Sequence, residues 1–138
     1  MIIDAENLII GRVGTFIAKK ALMGEKIDVV NCNKAVIVGE RENVLRGYRE
    51  KYERKTPFKG PFIPKMSDRF VTRIIRGMLP YEKTRGREAF KRVMCWIDIP
   101  DKFKNEKIEK IDKYNVTKTK NIKYLKIEEV CKSLGGKA

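Results

Sequence analysis

Three arginines carry the most specific chemistry in this sequence. Arg69, Arg73 and Arg76 recur at i, i+4 and i+7, so on a helix turning about 100° per residue they share one narrow arc. Phe70, Val71, Ile74, Ile75 and Met78 fall on the opposite arc. A guanidinium is a planar fork of donors that matches phosphate oxygens. No Asp or Glu stands three or four residues from Arg73 or Arg76 to neutralise them. Ser67 or Asp68 is placed to cap this helix, and Gly77 with Pro80 to end it. A second short helix, from near Thr84 to near Arg92, puts Arg87 and Lys91 on a common face, with Ala89 and Phe90 pointing elsewhere. From Arg69 to Arg92 there are eight basic residues against two acidic ones. One side of this unit suits a core and the other a polyanion. Contacts of this kind position RNA without reading its sequence.

The remaining charge has the same bias. Residues 1–40 hold five basic and five acidic residues, which leaves 27 of the 32 Lys and Arg, and 13 of the 18 Asp and Glu, to residues 41–138. The whole net charge of +14 therefore lies in the later part of the chain. A neutral scaffold carrying a basic remainder predicts a nucleic-acid partner ahead of an anionic lipid surface. Catalysis finds little material. With no His, a Ser-His or Cys-His pair is impossible. Glu40 with Glu42, and Glu128 with Glu129, fall on ordinary helix surfaces. Cys32, Cys95 and Cys131 are far apart and lack a CxxC, which predicts neither a zinc site nor a disulfide framework and points to a reducing compartment. MIIDAENLII does not read as a signal peptide, and no run approaches the ~18 apolar residues of a membrane span. The expectation is a non-enzyme with no metal, no cofactor, no small-molecule substrate and no membrane association.

The elements that must hold these residues are legible in outline. At 138 residues the chain has the size of one domain. Ile2 and Ile3 predict a first strand, Gly11 to Met23 a helix with Val13, Phe16, Ile17 and Ala21 inward, and Gly24 its left-handed stop. Lys26 to Asn31 and Ala35 to Gly39 predict second and third strands, whose barely alternating apolar runs suggest burial on both sheet faces. With only Cys32–Lys34 between them, the pair is either antiparallel or joined by one unusual turn. Glu40 to about Arg54 predicts a helix with Val44, Leu45, Tyr48 and Tyr52 inward, and with Glu50 and Arg54 spaced to pair. KTPFKGPFIPK, residues 55–65, cannot be regular structure. Its Phe58, Phe62 and Ile63 are expected to anchor it on the core rather than reach into RNA beside the lysines. Val93 to Ile99 predicts a fourth strand ended by Pro100. Residues 101–126, with nine Lys against four acids, read as a solvated excursion with a short edge strand near Ile122–Leu125, before a final helix over Ile127–Leu134.

Gly11-Arg12-Val13-Gly14 stands between the first strand and its helix, where free backbone N–H groups can hold a phosphate. It is neither GxGxxG nor a P-loop, so a nucleotide-binding α/β protein is only an alternative reading. A KH-like single-stranded RNA module is another, since IIGRVGTFI resembles a GxxG loop, but too few residues precede it to supply that fold's strand and helix. Close packing at the two glycines, with Arg12 near the surface, is the preferred account.

IDAENLIIGRVGTFIAKKALMG, VVNCNKAVIVG and above all RGMLPYEKTRGREAFKRVMCW resemble the universal large-subunit ribosomal protein L-thirteen family, continuously over roughly residues 2–100. Bacterial members carry a histidine-containing segment after the fourth strand; this chain has none, so it resembles the archaeal/eukaryotic type. The resemblance implies a three-layer α/β/α domain with a four-stranded, mainly parallel sheet of order 3-2-1-4 and a basic helical extension. The expected organisation is a single domain over 1–138, with a core over 1–100 and a lysine-rich extension with a terminal helix over 101–138. The resemblance also implies a structural constituent of the large ribosomal subunit, in the cytoplasm, with large-subunit rRNA and neighbouring large-subunit proteins as partners. The basic residues around RGMLP and the Gly86 turn, with Arg12, would contact rRNA. Charge and position extend the candidates to Arg12, Arg41, Arg46, Arg49, Lys55, Lys59, Lys65, Arg69, Arg73, Arg76, Lys83, Arg85, Arg87 and Lys91.

Overall fold

The computed structural model describes residues 1–120 and 123–136. Four short parallel strands form the central sheet: β1 (Ile2–Asp4), β2 (Ile27–Val30), β4 (Val93–Cys95) and β5 (Ile108–Glu109), in the order β4-β2-β1-β5. The helices are α1 (Ile10–Leu22), α2 (Arg41–Glu53), α3 (Ser67–Gly77), α4 (Thr84–Lys91) and α5 (Ile127–Ser133). The remaining two strands, β3 (Val36–Val38) and β6 (Tyr124–Lys126), pair antiparallel as a separate ribbon.

The three-layer α/β architecture follows from strand alternation and connection handedness. Steps from β1 to β2 and from β2 to β4 run in the same direction across the sheet, so right-handed crossovers put α1, α3 and α4 on one face. There Ile3, Ile27, Val29 and Val93 meet Val13, Ile17 and Ala21 of α1, Phe70, Val71 and Ile75 of α3, and Ala89 of α4. The step from β4 to β5 runs back, and its chain covers the other face, where Trp96 and Phe103 close over Ile2 and Val30. The Trp96 indole N–H donates to Asp28 Oδ1 at 2.9 Å, which satisfies its polar end.

Counted in chain order, the four strands of the sheet stand 3-2-1-4, as the resemblance implied, but two of them are not the segments expected: Ala35–Gly39 is diverted from the sheet, Val93–Cys95 is its third strand and Ile108–Glu109 its fourth. The diversion begins at Asn31, which has a left-handed φ of 55° and starts the 3-10 turn Cys32–Lys34. Its side chain donates to buried Asp4 at 2.8 Å, so the turn is held from the adjacent strand. The vacated edge of β2 is taken by β4. Residues after Pro100 are also more than a solvated excursion. They supply β5, and buried Phe103, Val116, Leu125, Ile127 and Val130. The expected edge strand near Ile122–Leu125 is found as β6, the partner of β3; Ile122 itself lies outside the described residues. The fourth strand stops at Cys95 instead of Ile99. Glu50 and Arg54, spaced to pair, form no ion pair among the described residues.

The candidate nucleic-acid interface

α3 realises the two-faced pattern. Phe70, Val71 and Ile75 are buried, and Arg69 and Arg73 are exposed on the other side. The N-cap position is Met66 rather than Ser67 or Asp68, and its side chain makes no cap bond, while the Asp68 carboxylate accepts from the Arg69 N–H at 2.7 Å in the first turn. Asp68 still lies in the first turn, where its charge suits the helix dipole. Met78 leaves the end of α3 and rests on α1. A Cβ on Gly14 would meet Met78 Sδ at 3.0 Å, and the Thr15 hydroxyl approaches the same sulfur at 3.8 Å.

The corner after α3 is rigid for reasons that can be named. Leu79 is buried. The Arg76 guanidinium lies over the Tyr81 ring at 4.6 Å, and Tyr81 meets Phe90 of α4 edge-on, with centroids 5.4 Å apart. Gly86 lets α4 touch the corner backbone: a Cβ there would stand 2.0 Å from the Pro80 carbonyl oxygen. Arg87 Nη2 donates to the Glu82 carbonyl at 3.0 Å. Arg92, half-buried, donates to the Ala21 carbonyl at 3.3 Å and ties the end of α4 to α1. These contacts bring Arg69, Arg73, Arg76, Lys83, Arg85, Arg87 and Lys91 onto two helices held at a fixed angle; all are exposed except Arg76, which is half-buried.

Arg12 is exposed on α1 and lines a groove with Thr15, Phe16, Lys19 and Tyr114. Lys19 was not a candidate, although its i+7 spacing from Arg12 was the available signal; Tyr114 arrives from 102 residues later in the chain and gave none. The glycines beside Arg12 do not form a phosphate loop. Gly11 and Gly14 both lie within α1, and buried Leu8, Ile9 and Ile10 occupy its start, where the Ile9 N–H donates to the Tyr114 carbonyl at 3.0 Å. Neither the nucleotide-binding nor the KH-like alternative gains a binding loop from this geometry. Of the two glycines only Gly14 serves close packing, and it does so against α3 rather than a strand; nothing lies within 4 Å of a Cβ on Gly11.

A second group lies on α2 and the loop that follows it. Tyr48 packs on Phe70 with ring centroids 5.1 Å apart, which joins α2 to α3, and burial raises the Tyr48 phenol pKa. Arg41 is engaged by Glu129 of α5. Arg46 donates to Asn43 at 3.0 Å, and with Arg49 it shares a groove with Glu42, Glu50 and Glu53, so this face is of mixed charge. Lys55 donates to the Tyr52 hydroxyl at 2.9 Å, and Lys55 and Lys65 lie 4.2 and 4.9 Å from its ring. The hydrogen bond from Lys55, and then the nearby Lys65 ammonium, lowers the Tyr52 phenol pKa. Lys59 is exposed on the loop. Of the expected loop anchors, only Ile63 packs on the core. Phe62 is 59% exposed and Phe58 95% exposed.

The electrostatic outcome is clear. Among the described residues, one of the fourteen candidates, Arg41, forms an ion pair with a carboxylate. The other thirteen form no ion pair with a carboxylate among the described residues, which leaves them available to a polyanion whose counterions they would release. The cysteines, of which Cys32 and Cys131 are buried and Cys95 half-buried, form no comparable site. The Cys32 thiol donates to the Val29 carbonyl at 3.6 Å; the neighbouring Cys95 and burial raise its pKa, Cys32 lowers that of Cys95, and burial raises the Cys131 thiol pKa. All three are free thiols. No helix of the described residues is long and apolar enough to cross a membrane.

Fold and surface thus define a small α/β protein with a rigid, uncompensated basic face. The chain belongs to the Ribosomal protein L13 family, whose model matches residues 1–102. It is 41% identical to the large ribosomal subunit protein uL13 of Archaeoglobus fulgidus, over 97% of this chain and 86% of that relative. It is 40% identical to the protein of the same name from Methanosarcina barkeri, over 99% of this chain and 98% of the relative. The Thermoplasma volcanium protein of that name is 38% identical, over 98% of each chain.

Proposed function

We propose that the chain is a structural constituent of the large ribosomal subunit, binds large-subunit rRNA and supports subunit assembly and translation without catalysing a reaction. Its place is then the ribosome, in the cytoplasm, among neighbouring large-subunit proteins. The family match supports this reading, and one structural observation carries it to residues: thirteen of the fourteen basic candidates lack a carboxylate partner among the described residues. Arg69, Arg73, Lys83, Arg85, Arg87 and Lys91 are the primary rRNA contacts, with Arg76 fixed on Tyr81 and Arg12 alongside. Arg46, Arg49, Lys55, Lys59 and Lys65 are further contacts, and Arg41 serves α5 instead. Residues 1–138 act as one unit in this role.

Co-sedimentation with large subunits tests the reading. The purified chain is expected to pellet with subunits depleted of their own copy at low salt and to be released as salt rises. Replacing Arg69, Arg73 and Arg76 together by Glu is expected to abolish pelleting with an unchanged far-UV CD spectrum. Salt-independent pelleting, or full pelleting of the folded triple variant, would overturn the assignment of that face.

A further inference from the structure

The segment from Arg54 to Ser67 carries Arg54, Lys55, Lys59 and Lys65 and no carboxylate. Part of it is a closed hairpin. The Thr56 N–H donates to the Gly60 carbonyl at 3.0 Å, the Gly60 N–H to the Thr56 carbonyl at 3.1 Å, and the Lys59 N–H to the Thr56 hydroxyl at 3.3 Å. These bonds fix Pro57, Phe58 and Lys59 at the tip, with the Phe58 ring 95% exposed. The base of the hairpin is held as well: Ile63 packs on the core, and a Cβ on Gly136 would stand 2.1 Å from the Lys65 carbonyl. At that base the Lys55 and Lys65 ammonium groups converge on Tyr52, 4.2 and 4.9 Å from its ring centroid. Neither pairs with a carboxylate among the described residues.

A phenyl ring held in water on a restrained tip, beside ammonium groups, is the arrangement that receives a nucleobase and its phosphate. An apolar protein pocket fits it less well, because seating Phe58 there would desolvate Lys59 next to it. We propose that this hairpin is a finger for single-stranded RNA: Phe58 stacks on an unpaired base while Lys55 and Lys65, at Tyr52, hold an adjacent backbone phosphate. The proposal rests on the RNA-binding reading above and adds the nucleotide it grips. Stacking on a phenyl face tolerates any base, so the finger reads unpairedness rather than sequence.

Octaadenylate RNA is the probe, with inorganic polyphosphate of equal charge as its control, and large-subunit rRNA is titrated in parallel. Phe58→Ala is expected to weaken octaadenylate binding by roughly 5- to 150-fold, the effect of losing one stacked base. It should leave polyphosphate binding unchanged. Phe58→Trp should bind as well as the parent and be quenched by octaadenylate but not by polyphosphate. Trp96, bonded to Asp28, makes the parent chain the blank. Lys55→Gln with Lys65→Gln should weaken both ligands and flatten the salt dependence by about 0.7 in slope for the lost phosphate contact. Equal octaadenylate affinity of the parent and Phe58→Ala, while both still bind rRNA, overturns the finger alone. Loss of rRNA binding by the parent chain overturns the broader reading. Loss of binding to large-subunit proteins by Phe58→Ala, with unchanged RNA affinity, also overturns the finger.

Discussion

Gly86→Ala separates the geometry of the basic face from its charge. A Cβ at position 86 would stand 2.0 Å from the Pro80 carbonyl oxygen, 2.4 Å from its carbon and 3.0 Å from the Tyr81 nitrogen. All three are backbone atoms, so no side chain can swing aside. Ordinary contact begins near 3.4 Å, which leaves a deficit of 1.4 Å that α4 must open against the corner. Alanine would otherwise favour a helix interior by about 0.5–1 kcal/mol. Overpacking a rigid site costs about 1–3 kcal/mol, occasionally more, so the clash outweighs the helix gain. Gly47 in α2 supplies the control, because nothing lies within 4 Å of a Cβ there and only the favourable effect remains. At this chain length about 1 kcal/mol corresponds to roughly 3–5 °C in Tm. Thermal melts followed by CD should therefore show Gly86→Ala several degrees below the parent and Gly47→Ala slightly above it. Both variants keep the net charge of +14. Filter binding to large-subunit rRNA should weaken roughly 10- to 150-fold for Gly86→Ala, the loss of one charge-assisted contact, and not change for Gly47→Ala. A Gly86→Ala protein as stable as the parent, with undiminished affinity, would refute the claim that this close approach sets the interface.

Asn31→Ala loses both the bond to buried Asp4 and a residue tolerant of left-handed φ; the expected destabilisation is about 2–4 kcal/mol in urea unfolding. Asn31→Gly should recover only the backbone part. Tyr52 should ionise at lower pH than an ordinary phenol, because Lys55 and then Lys65 stabilise its phenolate. A phenol whose folded pKa is lowered adds stability only above its unfolded value of about 10 and loses it as pH falls through the folded pKa, so neutral-pH stability is unaffected. Absorbance titration near 295 nm should show the Tyr52 transition return upward in Lys55→Gln with Lys65→Gln.

The α3 stripe was legible because a helix writes its two faces into the local period, and neither face depends on distant residues. Helices α1, α2 and α5 followed for the same reason, and Gly24, with φ at 100°, ends α1 as its type suggested. Which segments supply the third and fourth strands of the sheet was not legible. It depends on Asn31 adopting a left-handed turn that is stabilised from a strand 27 residues earlier. The strand β5 has two residues among lysines, too short to show any alternation. In the interface, Arg41 looked free because its partner Glu129 is 88 residues away. Gly86 read as a turn residue, yet its role is contact with Pro80, which composition cannot reveal. Phe58 and Ile63 are both apolar loop residues, and only the fold decides that one is seated and the other held out in water.

The central claim is that the exposed arginines of α3 meet rRNA phosphates. Its most direct measurement is the salt dependence of large-subunit rRNA binding by the parent and by Arg69→Gln with Arg73→Gln. These two are exposed and carry no ion pair among the described residues, so the fold and its CD spectrum should be unchanged. The double variant should bind more weakly and give a plot of log K against log salt shallower by about 1.8, at roughly 0.9 per phosphate contact. An unchanged slope with unchanged affinity would contradict it.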